Sequence, residues 1–185
     1  VRDRNDGNKA LILSQPLSRL YGDSLGYTEQ QVLNDCVRLF SDLSGWEMRI
    51  KFHPKDDPAL KEQFEPFSVD GDLPDLIRSH DVVIGMNTMG LLYACLLGIR
   101  AISYQPGLCQ PDQCITNKLG FTRRVDNLEQ LLREIEREGR SGRGTSGTDR
   151  IYANEDFVRS CIWLDGKSTE RVAHFLEEVL QGHAH

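Results

Sequence analysis

A parallel α/β fold is predicted for this chain by three observations. Short apolar runs at residues 10–14, 47–52, 81–84 and 100–104 read as strands. Between them lie stretches whose apolar residues recur at helical spacing. Each run stops at a turn or cap, namely Gln15-Pro16, His53-Pro54, Asn87-Thr88 and Gln105-Pro106. Strands that alternate with helices imply a parallel sheet covered by helices on both faces.

The elements follow in order. Ala10-Leu11-Ile12-Leu13-Ser14 is a short buried strand ended by Gln15-Pro16. A loop through Tyr21-Gly22-Asp23 and Gly26-Tyr27 leads to Thr28, an N-cap for a helix to about residue 43. Val32, Leu33, Cys36, Val37, Phe40 and Leu43 form its apolar stripe, and Ser44-Gly45 ends it. The second strand, 47–52, turns at once through His53-Pro54-Lys55. Residues 55–71 are polar and irregular, with a short strand expected at 64–69 and a short helix at 73–79.

A third buried strand at 81–84 runs into Gly85-Met86-Asn87-Thr88-Met89-Gly90. From Thr88 the next helix is apolar nearly all round, so it is expected to be central and buried, with Gly98 as its stop. Residues 100–104 give the fourth strand, which ends at Gln105-Pro106-Gly107. A Cys- and Pro-containing loop precedes a weak strand at 122–125, and Asn127 can cap a helix to about residue 138. Residues 139–149 are rich in Gly, Ser and Arg and are expected to be flexible. The last helix, 168–180, is amphipathic through Val172, Phe175, Leu176, Val179 and Leu180. The whole, 1–185, reads as a single α/β domain with its core at about 10–135.

Composition narrows the function. With 185 residues and 39% hydrophobic content, the chain can build one real core. A net charge of −6 argues against general nucleic-acid binding, which needs clustered Lys and Arg. A local phosphate site needs only a few donors. No stretch approaches the roughly 20 apolar residues that span a bilayer. Cys36 and Cys95 fall on apolar helix faces, Cys109 and Cys114 lack a second ligand pair, and Cys161 stands alone. No metal site is therefore assigned, and a reducing cytoplasm fits best. The opening Val1-Arg2-Asp3, without Met or signal peptide, suggests an excised fragment.

Two turns carry the chemistry. Unpaired amides at a helix start attract phosphate, and the start at Asn87-Thr88-Met89-Gly90 follows a strand directly. Gly90 would let a ligand approach the backbone closely. The same residues can equally serve only as a helix cap. His53 follows a strand, Pro54 sets its direction and Lys55 adds a cation. Its imidazole could donate to a phosphate oxygen, or act as a plain structural hydrogen-bonder. Ser14, Gln15 and Gln105 end neighbouring strands and could reach the same cleft, or simply form turns. Asp56-Asp57 looks like a metal-binding pair but is expected to be solvated. His80 is expected at a helix end; His174, His183 and His185 read as surface or tail residues. Glycine-rich phosphate loops and the G-x-S-x-G elbow are absent.

The strand ending in His53-Pro54, the segment Asp81 through Gly98 and the strand Ala101-Ile102-Ser103-Tyr104 together resemble the donor-binding, C-terminal half of a GT-B glycosyltransferase. Bacterial sialyl- and polysialyltransferases are most similar, with capsule Kdo and CDP-glycerol transferases alike in outline. The resemblance covers about residues 10–135 and implies a Rossmann-like domain, one half of a GT-B fold. It implies that His53 contacts the phosphate of a CMP-activated sugar, such as CMP-sialic acid, and assists its departure. Thr88, with Asn87 in place of a first serine, would hold that phosphate with Met89 and Gly90, while Lys55, Gln105, Ser14 and Gln15 approach the donor. The sugar nucleotide is a substrate, so no cofactor is implied, and such enzymes invert without a metal.

Tyr93 stands where many of these relatives have Glu, and Asp70-Gly71 falls too late to match their acidic base motif. That base belongs to an N-terminal half, so this fragment alone is expected to bind donor without catalysing transfer. The implied acceptor is a surface or capsular glycan, met through the missing N-terminal domain. The implied location is the cytoplasm, with peripheral association at the inner face of the membrane. A UDP-sugar 2-epimerase of the same fold and a non-catalytic nucleotide-binding module are the alternative readings.

Overall fold

The computed structural model describes residues 8–136 and 166–182. Contacts group the chain into two compact units, 1–150 and 151–185. The first holds a five-stranded parallel sheet; the described part of the second is a helix, Ser168–Gly182. The stretch expected to be flexible, 139–149, lies outside the described residues, as do Cys161, His183 and His185.

In chain order the first unit runs β1 (Asn8–Leu13), α1 (Leu17–Tyr21), α2 (Glu29–Asp42), β2 (Trp46–Lys51), α3 (Pro58–Gln63), a 3-10 turn (Glu65–Phe67), α4 (Leu73–Ser79), β3 (Val82–Gly85), α5 (Met89–Leu96), β4 (Arg100–Tyr104), α6 (Ile115–Lys118), β5 (Arg124–Val125) and α7 (Leu128–Glu136). The strand order is β2-β1-β3-β4-β5, all parallel. Side chains of β1 alternate between two cores. Ala10 and Ile12 join Val32, Leu33, Leu131 and Ile135 from α2 and α7 on one face. Leu11 and Leu13 join Ile77, Leu91 and Ala94 from α4 and α5 on the other. The sheet is thus covered on both faces, as expected, because right-handed crossovers that run in opposite directions along the sheet put α2 on one face and α4 and α5 on the other.

Local chemistry explains most boundaries. Thr28 caps α2, its hydroxyl accepting from Gln31 N–H, and Asn127 does the same for α7 toward Gln130 N–H. Gly98, at φ 75, ends the α5 segment. His80 is the C-cap of α4, as expected.

Three expectations are corrected. The strand expected at 64–69 is absent: Phe64 ends α3, a 3-10 turn follows, and only Ser68 makes an isolated bridge to Ile50. Pro66 cannot donate to a ladder, and Asp57-Pro58 starts a helix instead, with Asp57 accepting from Ala59 N–H. The loop before Thr28 contains α1, too short to show a period. Finally, α5 is not buried all round. Gly90, Leu91, Leu92, Ala94 and Cys95 face inward, whereas Met89 and Tyr93, one turn apart, are half exposed.

Candidate functional site

Register sets up the site. Lys51, Leu13, Gly85 and Ser103 pair in one row across β2, β1, β3 and β4. Two residues farther along each strand direction come His53, Gln15, Asn87 and Gln105. All four therefore rise from the carboxyl edge of the sheet. The chain leaves β1 for β2 on one side and returns to β3 on the other, so β1 and β3 form the topological switch point where α/β ligands bind. Neighbouring strands are about 4.8 Å apart, so the turns after β2 and β3 stand about 10 Å apart with β1 between them.

The turn after β3 opens α5. Thr88 is its N-cap, with its hydroxyl accepting from Gly90 N–H at 3.2 Å. Asn87 N–H is taken by Gln15 Oε1 at 2.8 Å. The amides of Thr88 and Met89 donate to nothing within the described residues. They sit at the positive end of α5, half-buried at Thr88 and exposed at Met89. A Cβ at Gly90 would lie 2.3 Å from Leu13 Cδ1, so glycine also allows α5 to pack closely on Leu13 of β1.

The turn after β2 is built around His53, which is half-buried. Lys55 N–H donates to His53 Nδ1 at 3.1 Å. In the neutral ring that bond places the proton on Nε2 and leaves Nε2–H as a donor. Asp56 N–H donates to His53 O at 3.0 Å, and His53 N–H donates to Asp56 Oδ2 at 2.7 Å. The Lys55 side chain is exposed beside the turn. Asp56 was expected to be solvated with Asp57; it is instead 3% exposed. Burial raises its pKa from the usual 3.8, opposed by the Ser14 hydroxyl, the His53 N–H and the His53 ring, and reinforced by Glu29.

Gln15 and Gln105 are committed internally. Gln15 clasps the β3 turn from β1, with Nε2 donating to Asn87 O at 2.6 Å while Oε1 accepts from Asn87 N–H. Ser14 is buried against the turn of β2. Gln105 is 2% exposed, and its Nε2 donates to Ser103 Oγ and Asp112 Oδ1 while Oε1 accepts from Tyr27 OH. That network continues through Asn117, which donates to Ser103 and to Asp112, and through the Ser103 hydroxyl, which donates to Met86 O. Burial would raise the pKa of Asp112, but the Cys114 N–H, Gln105, Asn117 and the charge of Arg124 hold it below 3.8.

Glu29 and Asp112 are thus acids that the motifs did not single out, and Asp56, read only as half of a solvated acidic pair, is a buried one. Glu29 accepts from both Ser18 N–H and Ser18 Oγ. A signal for α3 was present in Asp57-Pro58, a cap followed by N1 proline; none marked the burial of Asp56, whose hydrogen-bond partner is the nearby His53. Cys36, Cys95 and Cys114 are buried and Cys109 is exposed, all as free thiols. Among the described residues no three His, Cys, Asp or Glu side chains group as metal ligands, and no helix is long and apolar enough to cross a membrane.

No family model matches the sequence, and no curated protein matches it significantly. Solved structures do match in fold. The chain is similar to the glycotransferase of kitacinnamycin at a TM-score of 0.57 and 16% identity, covering 96% of this chain and 44% of that one. It is similar to S. aureus MnaA, solved with UDP, at 0.52 and 10%, covering 87% and 50%. The UDP-GlcNAc 2-epimerase of Methanocaldococcus jannaschii, solved with UDP-GlcNAc and UDP, matches at 0.50 and 15%, covering 82% and 46%. The chain spans half or less of each. At such identities the shared property is the fold: a Rossmann-like half of the GT-B architecture.

Proposed function

We propose that this chain is the donor-binding half of an inverting glycosyltransferase and holds a nucleotide-activated sugar at the rim between β2 and β3. One observation carries the reading: His53 Nε2 and the unpaired amides of Thr88 and Met89 rise from the same sheet edge, on either side of the switch strand. In the parent enzyme an acceptor hydroxyl attacks the anomeric carbon, and the bond from that carbon to the phosphate oxygen breaks. The phosphate leaves with the electron pair. His53 and the start of α5, with Lys55 nearby, stabilise the charge that develops on it. The acceptor proton passes to a base outside these residues. The motif resemblance supports a CMP-sugar donor, and a capsular or surface glycan as acceptor at the cytoplasmic face of the membrane.

A second reading is a UDP-sugar 2-epimerase, supported by the two neighbours solved with UDP. The same rim would hold UDP. An epimer formed without any acceptor would decide for that enzyme and against the transferase.

The test is thermal stabilisation by CMP, CDP, UMP and UDP. A cytidine nucleotide is expected to raise the melting temperature. His53→Ala and Thr88→Ala should each weaken binding about tenfold or more, as for hydrogen bonds to a charged group. Thr88→Ala also loses a cap, about 1 kcal/mol, so the ligand-induced shift is the quantity compared. A folded protein that responds to none of the four nucleotides defeats the proposal.

A further inference from the structure

Asp56 is the buried rim acid to which the transfer step gives no task. A carboxylate taken out of water is costly unless hydrogen bonds compensate it. Here Oδ2 receives His53 N–H at 2.7 Å, and the Asp56 N–H returns to His53 O. Two bonds of opposite sense therefore close residues 53–56. Pro54, inside that turn, has no N–H and a fixed φ, which narrows the alternatives. The remaining oxygen, Oδ1, and Ser14 Oγ are both buried and make no hydrogen bond among the described residues. They are nonetheless close enough for the serine hydroxyl to favour the charged carboxylate. Ser14 N–H is bonded to Lys51 O, so the serine is itself fixed on the sheet. Of the other charged groups near Asp56, Glu29 is held by Ser18.

We propose that Asp56 is the positioning residue of His53: its carboxylate accepts the His53 N–H, closes the imidazole-bearing turn that follows β2 and leaves Nε2–H for the donor phosphate. The ligand in this statement rests on the proposed function; the coupling of Asp56 to His53 does not. Asp56→Ala removes the acceptor for His53 N–H. Asp56→Asn keeps a carbonyl acceptor and supplies an amide that can donate to Ser14 Oγ.

The experiment has two arms. In the ligand-free protein, amide hydrogen exchange of His53 is expected to quicken by about tenfold or more in Asp56→Ala and to stay near wild type in Asp56→Asn. In the second arm, dissociation constants are measured for whichever of CMP, CDP, UMP and UDP binds best. Asp56→Ala should weaken binding about tenfold, and His53→Ala/Asp56→Ala should be no weaker than His53→Ala alone, since a residue acting through another is not additive with it. Additive losses, or wild-type exchange in a folded Asp56→Ala protein, overturn the proposal. If wild type binds no nucleotide, the donor-domain reading fails while the exchange arm still decides the coupling.

Discussion

Polar side chains on the rim divide between those that hold turns and those that offer groups. Gln15 is of the first kind, because both atoms of its amide are spent on the backbone of Asn87. Gln15→Met keeps the length and removes the partners, leaving an N–H and a C=O unpaired at a half-buried position. Urea unfolding should show a loss of about 1–3 kcal/mol. The two perturbed acids make opposite pH signatures. The pKa of Asp112 is lowered on folding, so its stabilisation is complete above 3.8 and disappears as pH falls through its lower folded value. Asp112→Asn should therefore be less stable than wild type at neutral pH, the gap closing in acid. The pKa of Asp56 is raised, so wild type is penalised increasingly as pH rises from 3.8 through the higher folded value. The pH-dependent part of the Asp56→Asn difference should favour the variant at neutral pH and vanish toward 3.8. Unfolding curves from about pH 3 to about pH 7 check both signs. His53 and Thr88 were legible in the chain because each directly follows an apolar run. The burial of Asp56 was not, since the fold packs it near Ser14 and Glu29, which lie far away in sequence.

Elements that pair across the rim carry a different kind of constraint. The loop before α2 meets the loop after β4, with Cys109 N–H donating to Leu25 O and Cys109 Sγ to Ser24 O. Gly26 sits at this contact with φ +84, and a Cβ there would fall 2.5 Å from Gly107 O. Both the backbone conformation and the space exclude a side chain, and the obstructing atom is main chain. Gly26→Ala should cost about 1–3 kcal/mol in chemical denaturation. Gly22, at φ 55 with open space around it, provides the control, since only its backbone term is affected. Strands and long helices were readable here because burial imprints a period on them. The segment after His53 was misread because Phe64, Phe67 and Val69 are apolar without belonging to one ladder. Their contacts come from a helix end, a 3-10 turn and an isolated bridge. Likewise α5 looked apolar all round, and only its placement over β3 and β4 decided that Met89 and Tyr93 face out.

Across the whole first unit, strand order is what brings separate motifs together as a candidate site. The order β2-β1-β3 sets the turn of His53 and the start of α5 on either side of one strand, at the edge where α/β ligands bind. The nucleotide panel tests that geometry directly, since either turn alone would give a weaker and less selective anion contact. The amino-acid chain already contained the strand ends, the caps and the alternation of strand with helix, because those depend on residues near one another. It also held His53 and Thr88 as candidates, since a strand end and a cap are local features. The order of strands, the clasp of Gln15 on Asn87, the use of Gly90 against Leu13 and the burial of Asp56 beside Ser14 came from packing between distant segments. Sequence patterns record which face of an element is apolar, but they do not say which partner covers it.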